Sequence, residues 1–408
     1  MEKPKIRFKG YQEDWEQRKL SELSEKTFGG GTPKTSNESF WKGNIPWIQS
    51  SDLIEGSLFD VEPRKYISQE AVDKSATKLV PENSVAIVTR VGVGKLAFMP
   101  FSYATSQDFL SLSVLKTEPQ FTVYALYKKL QSELNAVQGT SIKGVTKDEL
   151  LAKEVMIPCY KEQEKIGSYL HSLDHLITLH QRKCDEVKSL KKYMLQKMFP
   201  QNEQKVPEIR FEGFTEAWEQ RKFGEITELK SASRVHKDEW TSNGVPFYRS
   251  SDVMAAINGT ENEKAFISEK LYEKLSKVSG KLEEGDILVT GGGSVGNPYI
   301  VPNNKPLYTK DADLLWIKNK GKFHPYFLYE FFFSPTFRNY LGSISHVGTI
   351  AHYTITQLSD TPICLPSFEE QKEVGEYFQS LDHLITLHQQ KCEKLKKIKK
   401  FMLQKMFV

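Results

Sequence analysis

Residues Ser172 to Gln181 and Ser380 to Gln389 spell the same ten letters, SLDHLITLHQ. An identical decapeptide of mixed polarity, occurring once late in each half of a 408-residue chain, marks an internal duplication. The match continues downstream, where Lys183-Cys184 recurs as Lys391-Cys392 and the MLQKMF run Met194–Phe199 recurs as Met402–Phe407. The halves also begin alike: Ile6-Arg7-Phe8 returns as Ile209-Arg210-Phe211, and the WEQRK run Trp15–Lys19 returns as Trp218–Lys222. Between these ends the copies diverge, so one shared frame carries two different inserts. A chain this long exceeds one ordinary core, and the repeat divides it near Pro200 into halves of single-domain size.

From Ile166 the seam positions alternate at intervals of four and three: Ile166, Leu170, Leu173, Ile177, His180, Cys184, Val187, Lys191, Met194 and Met198. A 3.5-residue period held over about five heptads is a coiled-coil signature. The second copy repeats it at Val374, Phe378, Leu381, Ile385, His388, Cys392, Leu395, Lys399, Met402 and Met406. Each run follows a proline-containing stretch and predicts a helix of about 38 residues, roughly 57 Å long at 1.5 Å per residue. The order domain, helix, domain, helix lets the two helices pack antiparallel about an approximate twofold axis, with the inserts projecting from opposite ends of the rod.

The inserts alternate turn and strand signals. The first has Gly29-Gly30-Gly31-Thr32-Pro33, then IPWIQSSD (Ile45–Asp52), then SVAIVT (Ser84–Thr89) running into Arg90-Val91-Gly92-Val93-Gly94-Lys95. The second answers with VPFYRSSD (Val245–Asp252) and DILVT (Asp286–Thr290) before Gly291-Gly292-Gly293-Ser294-Val295-Gly296. Short β-branched runs closed by glycine loops, with helical stretches such as Tyr124 to Leu134, predict an α+β fold of two mixed domains joined by two long antiparallel coiled-coil helices, with pseudo-twofold internal duplication.

Composition narrows the function classes. Hydrophobic content of 39% with 26% charged residues suits a soluble globular protein. No stretch approaches the roughly 18 apolar residues of a membrane helix, and MEKPKIRFKG lacks the apolar core of a signal peptide. The four cysteines form no CxxC pair, so a reducing cytoplasm is expected. Net charge of +4 does not by itself name a nucleic-acid partner, although Lys and Arg gather on both helices. Those clusters also suit ordinary solvated helix faces. Gly291-x-Gly293-x-x-Gly296 formally fits a dinucleotide fingerprint, but Asn297-Pro298 leads into an extended run where the fingerprint needs a helix. Asn297-Pro298-Tyr299 matches part of an amino-methyltransferase motif without its second proline. His180, Cys184, His388 and Cys392 lie at helix midpoints and could converge on zinc, whereas packing of the seam is the ordinary expectation and no metal site is assigned.

The order of IPWIQSSDL, a strand running into RVGVGK, a TSQDF segment, a GTSIKGVT segment, a short Ile-Pro strand and a long helix containing LITLHQRK and LQKMF resembles the specificity subunit of Type I restriction-modification enzymes. The resemblance covers essentially the whole chain, twice. It implies target recognition domains at residues 1–160 and 200–367 and constant spacer helices at 161–199 and 368–408. Each domain would read one half of a split, asymmetric site in double-stranded DNA, while the helices fix the gap and dock two modification subunits. Catalysis would lie elsewhere: S-adenosylmethionine on the modification subunit, ATP and Mg on the restriction subunits of the full complex, no cofactor on this chain. A protein-bridging adaptor and a self-sufficient DNA methyltransferase are the alternatives. Specific reading needs polar side chains at base edges with further donors on phosphates. The candidates are Arg90, Lys95, Ser106, Thr140, Ser141 and Lys143 in the first domain, and Arg249, Ser250, Thr290, Ser294, Asn297, Lys310, Thr349 and His352 in the second. The glycine-rich loop replaces the arginine-led one in the second domain, so Arg90 has no obvious counterpart and the half-sites should differ.

Overall fold

The computed structural model describes residues 3–136, 144–201, 204–344 and 352–408. Two compact units emerge: unit 1 is Met1–Gln181 with Gln390–Val408, and unit 2 is Arg182–Gln389. The division therefore falls inside the long helices and not near Pro200.

Unit 1 runs through β1 (Glu16–Lys19), β2 (Ser24–Gly29), β3 (Ile45–Ile48), β4 (Lys65–Ile67) and α1 (Gln69–Lys74). It continues with β5 (Ser84–Val88), β6 (Leu96–Met99), β7 (Ala104–Thr105), β8 (Phe109–Leu115), α2 (Pro119–Ala136), α3 (Lys147–Leu151) and β9 (Glu154–Ile157). The main sheet has the order β2-β8-β5-β6, and a smaller sheet has the order β4-β3-β7. The central strand β5 is buried along its whole length, and its period-2 alternation sorts its side chains. Val85 and Ile87 face α2 with Phe121, Val123 and Leu126, whereas Ala86 and Val88 join Ile48, Leu53, Tyr103 and Phe109 on the opposite face. That second face is where the small sheet docks.

Unit 2 repeats the plan with β10 (Glu219–Lys222), α5 (Phe223–Ile226), β11 (Leu229–Ser231), β12 (Trp240–Thr241), β13 (Val245–Tyr248), α6 (Ser250–Asn258), β14 (Ala265–Ile267) and α7 (Glu269–Ser279). Then follow β15 (Ile287–Thr290), β16 (Pro298–Ile300), β17 (Tyr308–Thr309), β18 (Leu314–Ile317), α8 (Pro325–Phe331), α9 (Pro335–Ile344), α10 (Ile355–Asp360) and β19 (Pro362–Leu365). The sheets here are β11-β18-β15-β16 and β12-β14-β13-β17. Matching capping boxes begin α3 and α10: Glu149 N donates to Thr146 Oγ1 and Gln357 N to Thr354 Oγ1, both at 3.2 Å.

The long helices, α4 (Tyr160–Lys197) and α11 (Phe368–Lys405), have 38 residues each, as the heptads predict. Within unit 1 they run antiparallel: Lys399 Nζ meets Asp174 Oδ1 at 2.5 Å, and Cys392 Sγ lies 4.0 Å from Ile177 O. Unit 2 makes the same contacts with the roles exchanged, Lys191 to Asp382 at 2.7 Å and Cys184 Sγ to Ile385 O at 4.0 Å. Of the expected seam, Leu170, Leu173, Cys184, Phe378, Leu381 and Cys392 are buried, and Ile177, His180, Ile385 and His388 are partly exposed.

The helix ends differ from the expected simple rod. Ile166, Leu170 and Leu173 share one core with Leu403, Met406 and Phe407, and with Trp15 and Phe121 of the insert. In unit 2, Leu195, Met198 and Phe199 join Val374, Phe378, Leu381, Trp218 and Phe327. The repeated motifs thus meet one another. Trp15 sits edge-on to Phe407 at 6.3 Å, Trp218 to Phe199 at 6.2 Å, and Ile6 N and Ile209 N donate to the carbonyls of Lys405 and Lys197. Arg7 closes on buried Glu162 and Arg210 on buried Glu370, each at 2.7 Å. Each unit is completed by the helix end belonging to the other half of the sequence, which is why the compact units do not follow the repeat boundary.

Candidate nucleic-acid interface

In unit 1, β3 and β7 are parallel neighbours, with Ile48 opposite Thr105. Both strands therefore release their loops at the same edge. The buried carboxylate of Asp52 accepts the Gln49 N–H at 2.8 Å, which fixes the QSSD turn, and the largely exposed Arg64 lies 3.6 Å from its other oxygen. Ser106 N donates to Ile48 O at 2.9 Å, while its hydroxyl faces Asp108 Oδ2 at 3.2 Å. Around this edge opens a cleft of about 940 Å³ whose wall includes Trp41, Trp47, Gln49, Arg64, Lys65 and Gln107. Lys65 Nζ stands 5.8 Å from both tryptophan rings, so its charge is held on the rim by two π faces.

The candidate residues fall into different places around this cleft. Arg90 is exposed at the head of the loop after β5. Lys95 turns inward: Nζ donates to Leu53 O at 2.9 Å and to Ser50 O at 3.4 Å, tying the RVGVGK loop to the QSSD turn. That loop needs its glycines, since Gly92 and Gly94 adopt φ of 89° and 95°. Ser106 is buried and supports the edge. Thr140, Ser141 and Lys143 lie outside the described residues, as does Thr349.

Unit 2 has the same backbone frame with other side chains. Tyr248 pairs with Thr309 on parallel β13 and β17, Lys310 N donates to Tyr248 O at 2.9 Å, and Arg249 N donates to Asp252 Oδ2 at 2.9 Å. The Arg249 guanidinium is clasped by Asp252 at 3.0 Å, bonds the Glu263 carbonyl, and lies 5.5 Å from the Trp240 ring. Lys310 pairs with Asp313 at 2.5 Å, and Ser250 Oγ donates to Asp313 O at 3.0 Å. Thr290 is fully buried and bonds the Ser294 carbonyl within the loop, so it holds the loop in shape. Asn297 Nδ2 also donates to Ser294 O, and Arg338 donates to Asn297 Oδ1 at 3.0 Å. Ser294 and His352 are exposed. Sequence reasoning passed over Gln49, Gln107, Arg64 and Lys65, although IPWIQSSD set beside VPFYRSSD already places Gln49 opposite Arg249.

The glycine loop after β15 feeds strand β16 with no helix at its end, so the dinucleotide fingerprint lacks the phosphate-binding terminus it needs. Among the described residues no group of three or more His, Cys, Asp or Glu could hold a metal ion, and no helix is long and apolar enough to cross a membrane.

Comparison with known proteins decides the class. The model of the Type I restriction modification DNA specificity domain matches twice, over residues 12–189 and 215–397. The chain belongs to this family. Its role is that of a DNA sequence-specificity subunit of a Type I restriction-modification system. The MjaIX specificity subunit of Methanocaldococcus jannaschii is 23% identical over 414 residues, covering 96% of this chain and 92% of that protein. The EcoR124I/EcoR124II specificity subunit of Escherichia coli is 30% identical over 182 residues, 42% of this chain and 43% of that protein. The fold also matches the crystal structure of the S subunit from M. genitalium, with a TM-score of 0.64 at 16% identity, covering 100% of this chain and 99% of that one. The family supplies the non-catalytic part of these enzymes.

Proposed function

We propose that each unit reads one half of a split, asymmetric duplex sequence, and that the length of the two long helices sets the number of unread base pairs between the halves. One observation carries this reading: an identical hydrogen-bonded frame, Gln49–Asp52 with Ser106 in unit 1 and Arg249–Asp252 with Lys310 in unit 2, presents different side chains at the same strand edge. A protein-bridging adaptor has no need of that combination.

The chain contributes no chemistry of its own in this reading, and it works in the cytoplasm where the DNA is. S-adenosylmethionine belongs to the modification subunit, and ATP and Mg to the restriction subunits. Two modification subunits dock on equivalent surfaces of the helices, for which the exposed leucines at matching repeat positions are the best support: Leu176 is 39% exposed and Leu384 40%. An exposed apolar side chain retained in both copies serves no core, so a common partner is its natural use.

The test is binding of the chain, assembled with its modification subunits, to duplexes carrying a bipartite target. Affinity should fall with salt at a log-log slope of about −0.9 per phosphate contact, and scrambling either half should abolish discrimination. Equal binding to scrambled duplexes overturns the reading. Inserting about one helical turn, roughly four residues, into both long helices should change the gap and keep the half-site letters; altered letters with an unchanged gap overturn the ruler.

A further inference from the structure

The cleft of unit 1 combines three features in one place. Its floor is aromatic, with Trp41 edge-on to Trp47 at 4.9 Å. Its rim is cationic, with Lys42, Arg64 and Lys65, of which the Arg64 side chain is 69% exposed. Its remaining wall includes two amide side chains, Gln49 and Gln107, each leaving one of two adjacent parallel strands. Neighbouring strands lie about 4.8 Å apart, between one and two of the roughly 3.4 Å steps from base to base along one strand, so side chains from the two strand ends can address neighbouring base pairs. Gln107 is exposed between Ser106 and Asp108, which bond each other. Its backbone is therefore fixed while its amide faces outward.

We propose that this cleft is the base-reading mouth for the first half-site, with the amides of Gln49 and Gln107 reading adenine edges in the major groove and Lys42, Arg64 and Lys65 seated on the flanking phosphates. The proposal rests on the reading of each unit as a DNA half-site reader. A glutamine amide donates to adenine N7 and accepts from N6, a bidentate match that no other base offers in the major groove. The opposite chemistry stands at the same positions of unit 2. Arg249 and Lys310–Asp311 are charged, and Arg249 is stiffened by Asp252 and Trp240, so the second half-site is read by a different code from the same frame.

The experiment uses the full chain assembled with its modification subunits and a duplex library randomised through both half-sites. Gln107→Ala and Gln49→Ala should each relax discrimination at one adenine-containing pair of one half-site by about 5- to 150-fold, leaving the other half-site and the gap unchanged. Lys65→Ala should weaken binding evenly across the library and lower the salt slope by about one contact. Gln107 is exposed and outside any strand, so its truncation leaves folding intact and keeps the test open if Gln49→Ala proves unstable. Selected sequences identical to those of the unaltered protein, or relaxation at pairs lacking adenine or in both half-sites, overturn the assignment of the cleft. Failure of the unaltered complex to prefer any sequence defeats the underlying reading of DNA recognition instead.

Discussion

Glu330 offers the sharpest test of the packing argument. It lies on α8 with no exposed surface, its Oε1 is 2.8 Å from Lys191 Nζ, and its Oε2 is buried without a partner. Lys191 also serves Asp382, at 2.7 Å to both carboxylate oxygens, so two acids share one ammonium. Unit 1 places a tyrosine where unit 2 has this glutamate: Tyr124 donates to Asp174 at 2.5 Å, and Lys399 pairs with the same carboxylate. Burial pushes the Glu330 carboxyl up to about 8; Lys191 opposes the rise and Asp382 adds to it. A carboxyl that binds its proton more tightly when folded contributes fully below its ordinary value near 4.5, and stability is lost as pH rises toward about 8.

Each pH unit in that window costs on the order of 1 kcal/mol, so raising pH from about 6 to about 8.5 should destabilise unit 2 by roughly 2–3 kcal/mol. That is a measurable share of the roughly 5–15 kcal/mol that holds a domain together. Glu330→Gln keeps an oxygen for Lys191 and removes the charge, so it should flatten the profile. The variant should roughly match the unaltered protein near pH 5 and exceed it by a few kcal/mol near pH 9. Hydrogen exchange of unit 2 peptides as a function of urea and pH reads this locally, which avoids assuming one transition for the whole chain. If the unaltered protein instead gains on Glu330→Gln as pH rises, the attraction of Lys191 outweighs the cost of burial and the reasoning fails.

Two further outcomes follow from the geometry. Phe407→Ala empties a site between Trp15 and Phe121, with Phe121 stacked at 5.5 Å, and should cost unit 1 about 3–5 kcal/mol; Phe199→Ala should do the same to unit 2, and exchange confined to the unit carrying that residue's own half of the sequence would refute the interchanged cores. Because Lys95 is spent on the carbonyls of Ser50 and Leu53, Lys95→Ala should loosen the QSSD turn and relax half-site discrimination while leaving the salt slope of DNA binding unchanged, whereas a slope lower by about one would make it a phosphate contact.

Much of the frame was legible because it obeys a period. The heptads give both helices and their lengths, and the β-branched run SVAIVT gives the central strand of unit 1. What stayed hidden was the use of the repeated ends. WEQRK and MLQKMF read as marks of ancestry, and nothing in a linear pattern says that Trp15 will meet Phe407, residues at opposite ends of the chain. The site was half legible for a related reason. A sequence shows which residues can donate a hydrogen bond and is silent on which are already committed. Lys95 and Thr290 looked like readers by type, and the fold binds them to Leu53 and Ser294.

That commitment explains how such a protein can change what it reads without changing how it folds. Asp52 and Asp252 hold the backbone N–H of the residue three positions earlier, so the frame depends on the acid and on a main-chain donor that every residue except proline supplies. Gln49 and Arg249 can therefore differ at no cost to the turn. The strand-edge bonds from Ser106 N and Lys310 N work likewise through the main chain. Side-chain identity at these positions is released from folding and left to the partner, whereas the paired tryptophan, phenylalanine, arginine and glutamate at the helix ends are fixed by burial. Divergent inserts between constant ends are what that division of labour produces.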